Sequence, residues 1–170
     1  PGDIRNPDHC RAIVRRTVEA FGAIDILVNN AAHQDTFKEI ADISDEEWDV
    51  TFRTNVNAMF YLTKAAVAQM KAGSCIINTT SINADTPSPQ LLAYATTKGA
   101  IHNFTGGLAQ LVAEKGIRVN CVAPGPIWTP LNVADKEPKK AAEHGKKTPM
   151  ERPGQPEEVA PAYVFFASNA

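Results

Sequence analysis

The stretch "SCIINTT" (Ser74–Thr80) decides the fold. It is short, rich in isoleucine and apolar on consecutive positions, with Gly73 in front of it and the polar "SIN" behind it. Two other runs share its character: "IDILVN" (Ile24–Asn29) and "IRVNCVA" (Ile117–Ala123). Near-continuous apolar runs, rather than alternating ones, predict parallel strands covered on both faces. Long helical patterns lie between them. Asp8–Phe21 places Ile13, Val14, Val18 and Phe21 at helical spacing and meets a stop at Gly22. Ser44–Lys71 opens on "SDEE", a capping box of Ser44 and Glu47, and closes at Gly73. Ala93–Lys115 repeats Ile101, Phe104, Leu108, Leu111 and Val112 before Gly116. Pro156 starts a last helix, in which Pro161 predicts a late start or a kink.

Strands alternating with long helices call for right-handed crossovers. The predicted fold class is therefore α/β: a doubly wound parallel sheet in three α/β/α layers, of the Rossmann-like kind. Three strands are few for such a sheet, and helices bury poorly against so narrow a surface. Pro124–Pro153, dense in Pro, Lys and Thr, reads as a long functional loop with one short helix over Pro138–His144.

The composition of the 170 residues, 44% hydrophobic and 21% charged, predicts one globular domain with a real core. Lys and Arg total 17 against 19 Asp and Glu, a net charge of −2, which gives no electrostatic footprint for nucleic acid or an anionic membrane. No apolar run approaches a membrane span of roughly 18 residues, and the opening "PGDIRNPDHC" has no signal-peptide pattern. Cys10, Cys75 and Cys121 form no CxxC, and Cys75 and Cys121, set in apolar runs, read as buried free thiols, which points to a reducing compartment and a cytoplasmic location. His33, His102 and His144 share no ligand spacing, so no metal site is expected.

Open parallel sheets bind ligands outside the carboxyl ends of their strands. Here those ends lead into "NNAA" (Asn29–Ala32), "TTSIN" (Thr79–Asn83) and "APGPIWTP" (Ala123–Pro130), all small, polar or turn-forming. Tyr94 and Lys98 are four residues apart, on one face of the helix after the second strand, near the same rim. Ser81 precedes Tyr94 by 13 residues. Each residue also has a bland reading. Lys98 could snorkel beside a core tyrosine, Asn55 could be a helix asparagine satisfied by backbone, Thr79 and Thr80 could be plain strand residues, and Asp3 could be a helix N-terminal acid.

Together these elements resemble the classical short-chain dehydrogenase/reductase family over essentially the whole chain. Tyr94 and Lys98 match its Tyr-x-x-x-Lys, Ser81 its catalytic serine, Asn29–Ala32 its "NNAG" loop, and Asn55 its helix asparagine. Pro124, Gly125, Ile127 and Thr129 match its "PGxIxT". The resemblance implies an NAD- or NADP-dependent oxidoreductase acting on CH–OH groups, and "NNAA", "PGPIWTP" and "TPMERPGQPEE" are similar to its glucose- or ribitol-dehydrogenase-like subgroup. It implies Tyr94 as acid/base, and Lys98 as the cation that lowers the tyrosine's pKa and holds the nicotinamide ribose. Ser81 would orient the substrate oxygen, and Asn55 would hold a water leading to solvent. Cofactor contacts would come from Asp3, Ile4, Asn29, Ala31, Ala32, Thr79, Tyr94, Lys98, Pro124, Gly125, Ile127 and Thr129, with residues 124–153 as the substrate-binding region. The partners it implies are a sugar, polyol or other small alcohol or ketone, and further copies of the chain in a dimer or tetramer.

The family's Gly-x-x-x-Gly-x-Gly phosphate loop is absent, since no two glycines are separated by a single residue. The expectation is therefore a partial domain, with strands of the sheet lying both before and after these 170 residues. A non-catalytic module of the same fold and an epimerase or dehydratase of the family's extended branch, which shares Tyr-x-x-x-Lys, are the alternatives.

Overall fold

In the computed structural model, residues 1–133 and 142–168 are described. Asn6 begins the first helix, α1 (Pro7–Phe21), by accepting from the backbone N–H of Asp8 at 2.8 Å, and Gly22 ends it in the left-handed region at φ 82°. The chain then enters β1 (Ile26–Asn29). After a loop come α2 (Asp45–Phe52), a π-helical segment (Arg53–Asn57) and α3 (Ala58–Val67). β2 (Cys75–Thr79) leads to α4 (Leu92–Val112), which tightens into a 3-10 turn and stops at Gly116, φ 67°. β3 (Arg118–Val122), the one-turn α5 (Pro130–Val133) and α6 (Pro156–Ala167) follow.

The three strands form a parallel sheet in the order β1-β2-β3, with Asn29 opposite Asn78 and Asn78 opposite Cys121. Alternation along the strands divides their side chains between two faces. Leu27, Ile76 and Val119 share one face, which α4 covers with Leu108 and Val112, and α3 and α1 continue through Ala66 and Val14. Cys75, Ile77 and Thr79 point to the other face, where α6 packs against β2 and β3. Ile76 and Ile77 are both fully buried, as the run "CIIN" requires of a doubly covered strand. The narrow sheet shows at its margin: α6 packs chiefly on β2 and β3, and Ile26 and Val28 on the same face of β1 stay 50% and 45% exposed.

Two predicted helices differ in detail. The pattern over Ser44–Lys71 is one helical stretch in sequence but three segments in space, because the π turn at Arg53–Asn57 interrupts it and α3 ends at Val67. The early end lets Met70 fold back against both apolar clusters. Only half of the expected capping box forms: Ser44 Oγ accepts from Glu47 N at 3.1 Å, while the Glu47 carboxylate is drawn to other partners. Pro161 lies within α6 without delaying its start, where the Glu158 carboxylate accepts from Gln155 N at 2.8 Å. The short helix expected over Pro138–His144 falls largely on residues 134–141, outside the described residues.

Polar side chains also cross the first face. Asn78, with no exposed surface, accepts from Asn29 Nδ2 at 2.9 Å and donates to Thr105 Oγ1 at 2.9 Å, while Asn29 Nδ2 also reaches Thr63 Oγ1 at 3.1 Å. This ladder fastens β1, β2, α3 and α4 together just below the carboxyl rim. Asn78→Leu, of similar shape, removes the shared partner of Asn29 and Thr105 and is expected to destabilise the protein by about 1–3 kcal/mol in denaturant unfolding. Unchanged or raised stability would contradict a structural role for the ladder.

Candidate active site

Thr79 is the last residue of β2, and Thr80 prolongs the pairing by donating its N–H to Val122 O at 2.9 Å. The chain turns at Ser81, whose Oγ accepts from Asn83 N at 3.1 Å and Asn83 Nδ2 at 3.3 Å. Ile82 N donates to Pro124 O at 3.1 Å, so the loops after β2 and β3 are tied at the rim. Ser88 N donates to Asn83 Oδ1 at 2.8 Å, and a 3-10 turn (Pro89–Leu91) then delivers the chain into α4. Tyr94 sits in the first turn of α4, 9% exposed, with the Ser81 hydroxyl close enough to act on its phenol. Lys98, one turn later and 2% exposed, donates from Nζ to Thr79 O at 2.8 Å and lies 5.3 Å from the Tyr94 ring centroid. Thr80 Oγ1 donates to Lys98 O at 2.8 Å, which pins the lysine's backbone as well. Ser81, Tyr94, Lys98 and Thr79 therefore form one cluster.

Burial sets its electrostatics. It pulls the Lys98 ammonium down to about 8, because a charged form loses its hydration there. It also pushes the Tyr94 phenol up, offset in part by the Ser81 hydroxyl. The sequence led us to expect an ammonium that lowers the tyrosine. In this structure burial raises the phenol and only the Ser81 hydroxyl opposes it, while the hydrogen bond of Lys98 Nζ goes to Thr79 O.

Asn55, 2% exposed at the centre of the π segment, uses both N–H groups: Nδ2 donates to His33 O at 2.9 Å and to Thr97 Oγ1 at 3.0 Å. Its Oδ1 accepts from His33 N at 2.6 Å. The carboxamide is thus engaged by backbone and by Thr97, and any water it serves would have to be held elsewhere on the residue. Thr97 Oγ1 donates in turn to Tyr94 O at 2.6 Å, which connects Asn55 to the cluster.

The other sequence-predicted residues divide into two groups. Ile4, Asn29, Ala31, Asn55 and Thr79 line one small pocket at the rim, and Ala32 follows directly on. Pro124, Gly125, Ile127 and Thr129 begin the loop after β3. That loop closes on itself, with Trp128 N donating to Gly154 O at 2.8 Å and Gly154 N to Pro126 O at 2.9 Å. Ile127 O accepts from Asn132 Nδ2 at 3.0 Å, and Thr129 Oγ1 accepts from the same group at 3.2 Å. Asp3 stands apart from the cluster, on the surface, where Arg5 pairs with it at 2.7 Å and holds its carboxyl below the usual carboxylate range. The cap of α1 is Asn6 rather than Asp3.

A family model described as enoyl-(acyl carrier protein) reductase matches residues 1–170. The chain is 52% identical over 169 residues to an NADPH-dependent aldehyde reductase 1, chloroplastic, of Arabidopsis thaliana, covering 99% of the chain and 59% of that protein. It is 49% identical over 166 residues to a glucose and ribitol dehydrogenase of Daucus carota, covering 98% and 57%. A short-chain dehydrogenase from Burkholderia cenocepacia J2315, solved in complex with NADP, superposes with a TM-score of 0.90 at 32% identity, covering 98% of this chain and 67% of that one. The chain belongs to the short-chain dehydrogenase/reductase family. Its fold is the family's Rossmann-like one, and it spans a little under three-fifths of the length of these curated relatives.

The residues of this short-chain dehydrogenase/reductase chain fit a nicotinamide nucleotide in two respects. The Lys98 ammonium has three donors and, among the described residues, makes one hydrogen bond, to Thr79 O, which leaves two N–H groups for a pair of hydroxyls. The small pocket that Thr79 shares with Asn29 and Asn55 is otherwise largely apolar, with Ile4, Leu62 and Ile101 in its wall, and among the described residues the buried Oδ1 of Asn29 has no partner. Among the described residues no cluster of His, Cys, Asp or Glu could hold a metal ion, and no helix is long and apolar enough to cross a membrane.

Several residues that organise the site were missed in the sequence. Thr97 carried a signal, since it precedes Lys98 and stands three residues after Tyr94. Asn78 was hidden inside an apolar strand. Tyr163 of α6, 2.7 Å from Thr79 Oγ1, which itself donates to Asn30 Oδ1 at 3.0 Å, gave no local sign of its role.

The buried ammonium has a pH signature. Its folded pKa of about 8 lies below the ordinary 10.5, so the folded chain sheds this proton first and the unfolded chain binds more protons between those values. Stability contributed by Lys98 therefore rises with pH across that window. Relative to Lys98→Met, the protein is expected to gain about 2–3 kcal/mol between pH 7 and pH 10 in denaturant melts. Parallel curves for the two proteins would contradict a buried, depressed lysine.

Proposed function

We propose that this chain carries the catalytic half of an NAD- or NADP-dependent oxidoreductase, acting in the cytoplasm, that moves a hydride between the nicotinamide and a small alcohol, aldehyde or ketone. The observation that carries this reading is Lys98: a long cationic side chain buried at the strand ends, beside a buried tyrosine and a serine hydroxyl. A lysine with only a structural role would extend its ammonium into water. Holding it dry is costly unless the charge is used.

In the proposed reaction the substrate oxygen lies between Ser81 Oγ and the Tyr94 hydroxyl. Ser81, fixed by Asn83, orients that oxygen. Tyr94 donates its phenolic proton to it during carbonyl reduction and takes a proton from it during alcohol oxidation. The upward push on the phenol keeps Tyr94 protonated and ready as the acid. As a base it needs the neighbouring Lys98 charge and a further positive charge nearby. The two free N–H groups of Lys98 would hold the ribose hydroxyls of the cofactor, which supplies or accepts the hydride at its nicotinamide ring. Ile4, Asn29, Ala31, Ala32 and Thr79 would flank that cofactor along β1 and β2, with Asp3 beside its adenine end. Ile127 and Thr129 would meet its carboxamide, with Pro124 and Gly125 beside them in contact with the cofactor. Residues 124–153 would form the wall against the substrate, and residues 1–170 one portion of a single nucleotide-binding domain.

The substrate class rests on relatives named for an aldehyde and for glucose and ribitol, and these support a sugar, polyol or small carbonyl compound. The relative named for NADPH and the neighbour solved with NADP favour the phosphorylated cofactor. Assembly into a dimer or tetramer fits Gly106 and Gly107. They are exposed on α4, where an added Cβ would meet nothing in the chain itself, so close approach of a second helix would account for them.

Tyr94→Phe removes one oxygen and keeps the ring. In the intact protein it is expected to lower turnover of a short aldehyde with NADPH by about 10²–10⁴-fold, with the fold unchanged by circular dichroism. Near-normal turnover would overturn the assignment.

A further inference from the structure

One connected set of hydrogen bonds reaches the cluster from outside it. It starts on α2, where the Glu47 carboxylate accepts from Thr51 Oγ1 at 3.0 Å and meets His33 Nε2 at 2.8 Å. His33 follows the "NNAA" loop, and its own N–H and C=O are both gripped by the Asn55 carboxamide, at 2.6 and 2.9 Å. Asn55 then reaches Thr97, and Thr97 reaches the Tyr94 carbonyl. Four separate pieces of chain are joined: α2, the loop after β1, the π turn and the first turns of α4.

The pattern has features that general packing does not explain. Glu47 is the residue that a capping box would have turned back to the start of α2, yet its carboxylate faces the loop instead. Its side chain is 19% exposed, and Thr51 beside it is 1% exposed. Asn55 holds both polar groups of one peptide residue, as a neighbouring strand would. The π segment in which it sits gives up regular helical bonding, an arrangement that commonly marks functional positions. Held by its ring at one end and its backbone at the other, His33 fixes where Asn55 stands. Asn55 in turn fixes Thr97 and the start of α4.

We propose that His33 and Glu47 are positioning residues for Tyr94, acting through Asn55 and Thr97. The proposal rests on the reading of Tyr94 as the proton-transfer group. Neither residue touches the reacting atoms. Their effect is to hold the phenol at its working distance from the substrate oxygen, where displacements of an ångström are costly in rate. What His33 requires of Glu47 is an oxygen at the right reach, not a charge.

The test uses the intact protein with a short-chain aldehyde and NADPH, and with ribitol and NADP⁺. Glu47→Ala and His33→Ala are each expected to lower kcat about tenfold or more while KM changes less than about twofold, since alignment rather than binding is lost. The double variant is expected to be no worse than either single one, because both cut the same tether. Glu47→Gln keeps the accepting oxygen at full reach and should recover at least about half of kcat, whereas Glu47→Asp keeps the charge, falls short, and should behave like alanine. Hydrogen exchange at the His33 amide should quicken in the alanine variants and stay slow in Glu47→Gln. Undiminished kcat in folded Glu47→Ala, additive losses in the double variant, or a Gln variant no better than Asp would each overturn the proposal. If the alanine variants do not fold, the Gln and Asp pair decides. Tyr94→Phe separates the two claims: an active Tyr94→Phe sinks the underlying reading, and an inactive one beside fully active Glu47→Ala sinks the positioning role alone.

Discussion

The rest of the site depends on the hydrogen bond from Lys98 Nζ to Thr79 O, 2.8 Å long and sealed from water. A buried cation demands a carbonyl that cannot move away, and the end of a central parallel strand supplies one. Thr79 is fixed on its side-chain end as well, between Asn30 and Tyr163. Thr80 ties the backbone of Lys98 back to the same strand end. The charge is thus held at a strand end fixed through both backbone and side chain, where desolvation acts on lysine and tyrosine alike.

That constraint explains the arrangement around it. A parallel sheet sends all its strand ends to one rim, so "NNAA", "TTSIN" and "APGPIWTP" meet without any direct sequence proximity. The Asn29–Asn78–Thr105 ladder stiffens the sheet immediately beneath. Polar groups this deep are tolerable only when paired, and those pairs link strands to helices rather than helix to helix. Asn29, whose Oδ1 has no partner among the described residues, also lines the rim pocket, beside Ala31 and apolar side chains such as Ile4 and Leu62.

Much of this was legible in the sequence. The three apolar runs specified strands because doubly covered strands cannot alternate, and their observed limits fall within a residue or two of the predicted ones. Gly22 and Gly116 were readable as helix stops because each adopts a left-handed conformation. Tyr94 and Lys98 were legible as neighbours on one helix face, and Ser81 joined them through the resemblance to the family's motif. Long-range geometry was not. No local pattern shows that Glu47 abandons its capping box for His33, that a π turn breaks an otherwise helical run at Asn55, or that Tyr163 reaches back to Thr79. Those contacts exist only once the crossovers have brought distant segments together. The direction of the Tyr94 shift was hidden for the same reason: spacing reveals a nearby charge but not how much water burial removes.

The central claim is that Lys98 is held dry beside the buried Tyr94. Heteronuclear NMR of the lysine side-chain nitrogens tests it most directly, with Lys98→Arg assigning the resonance. One lysine should titrate near pH 8. A Lys98 that titrates with the surface lysines, above pH 10, would contradict the account.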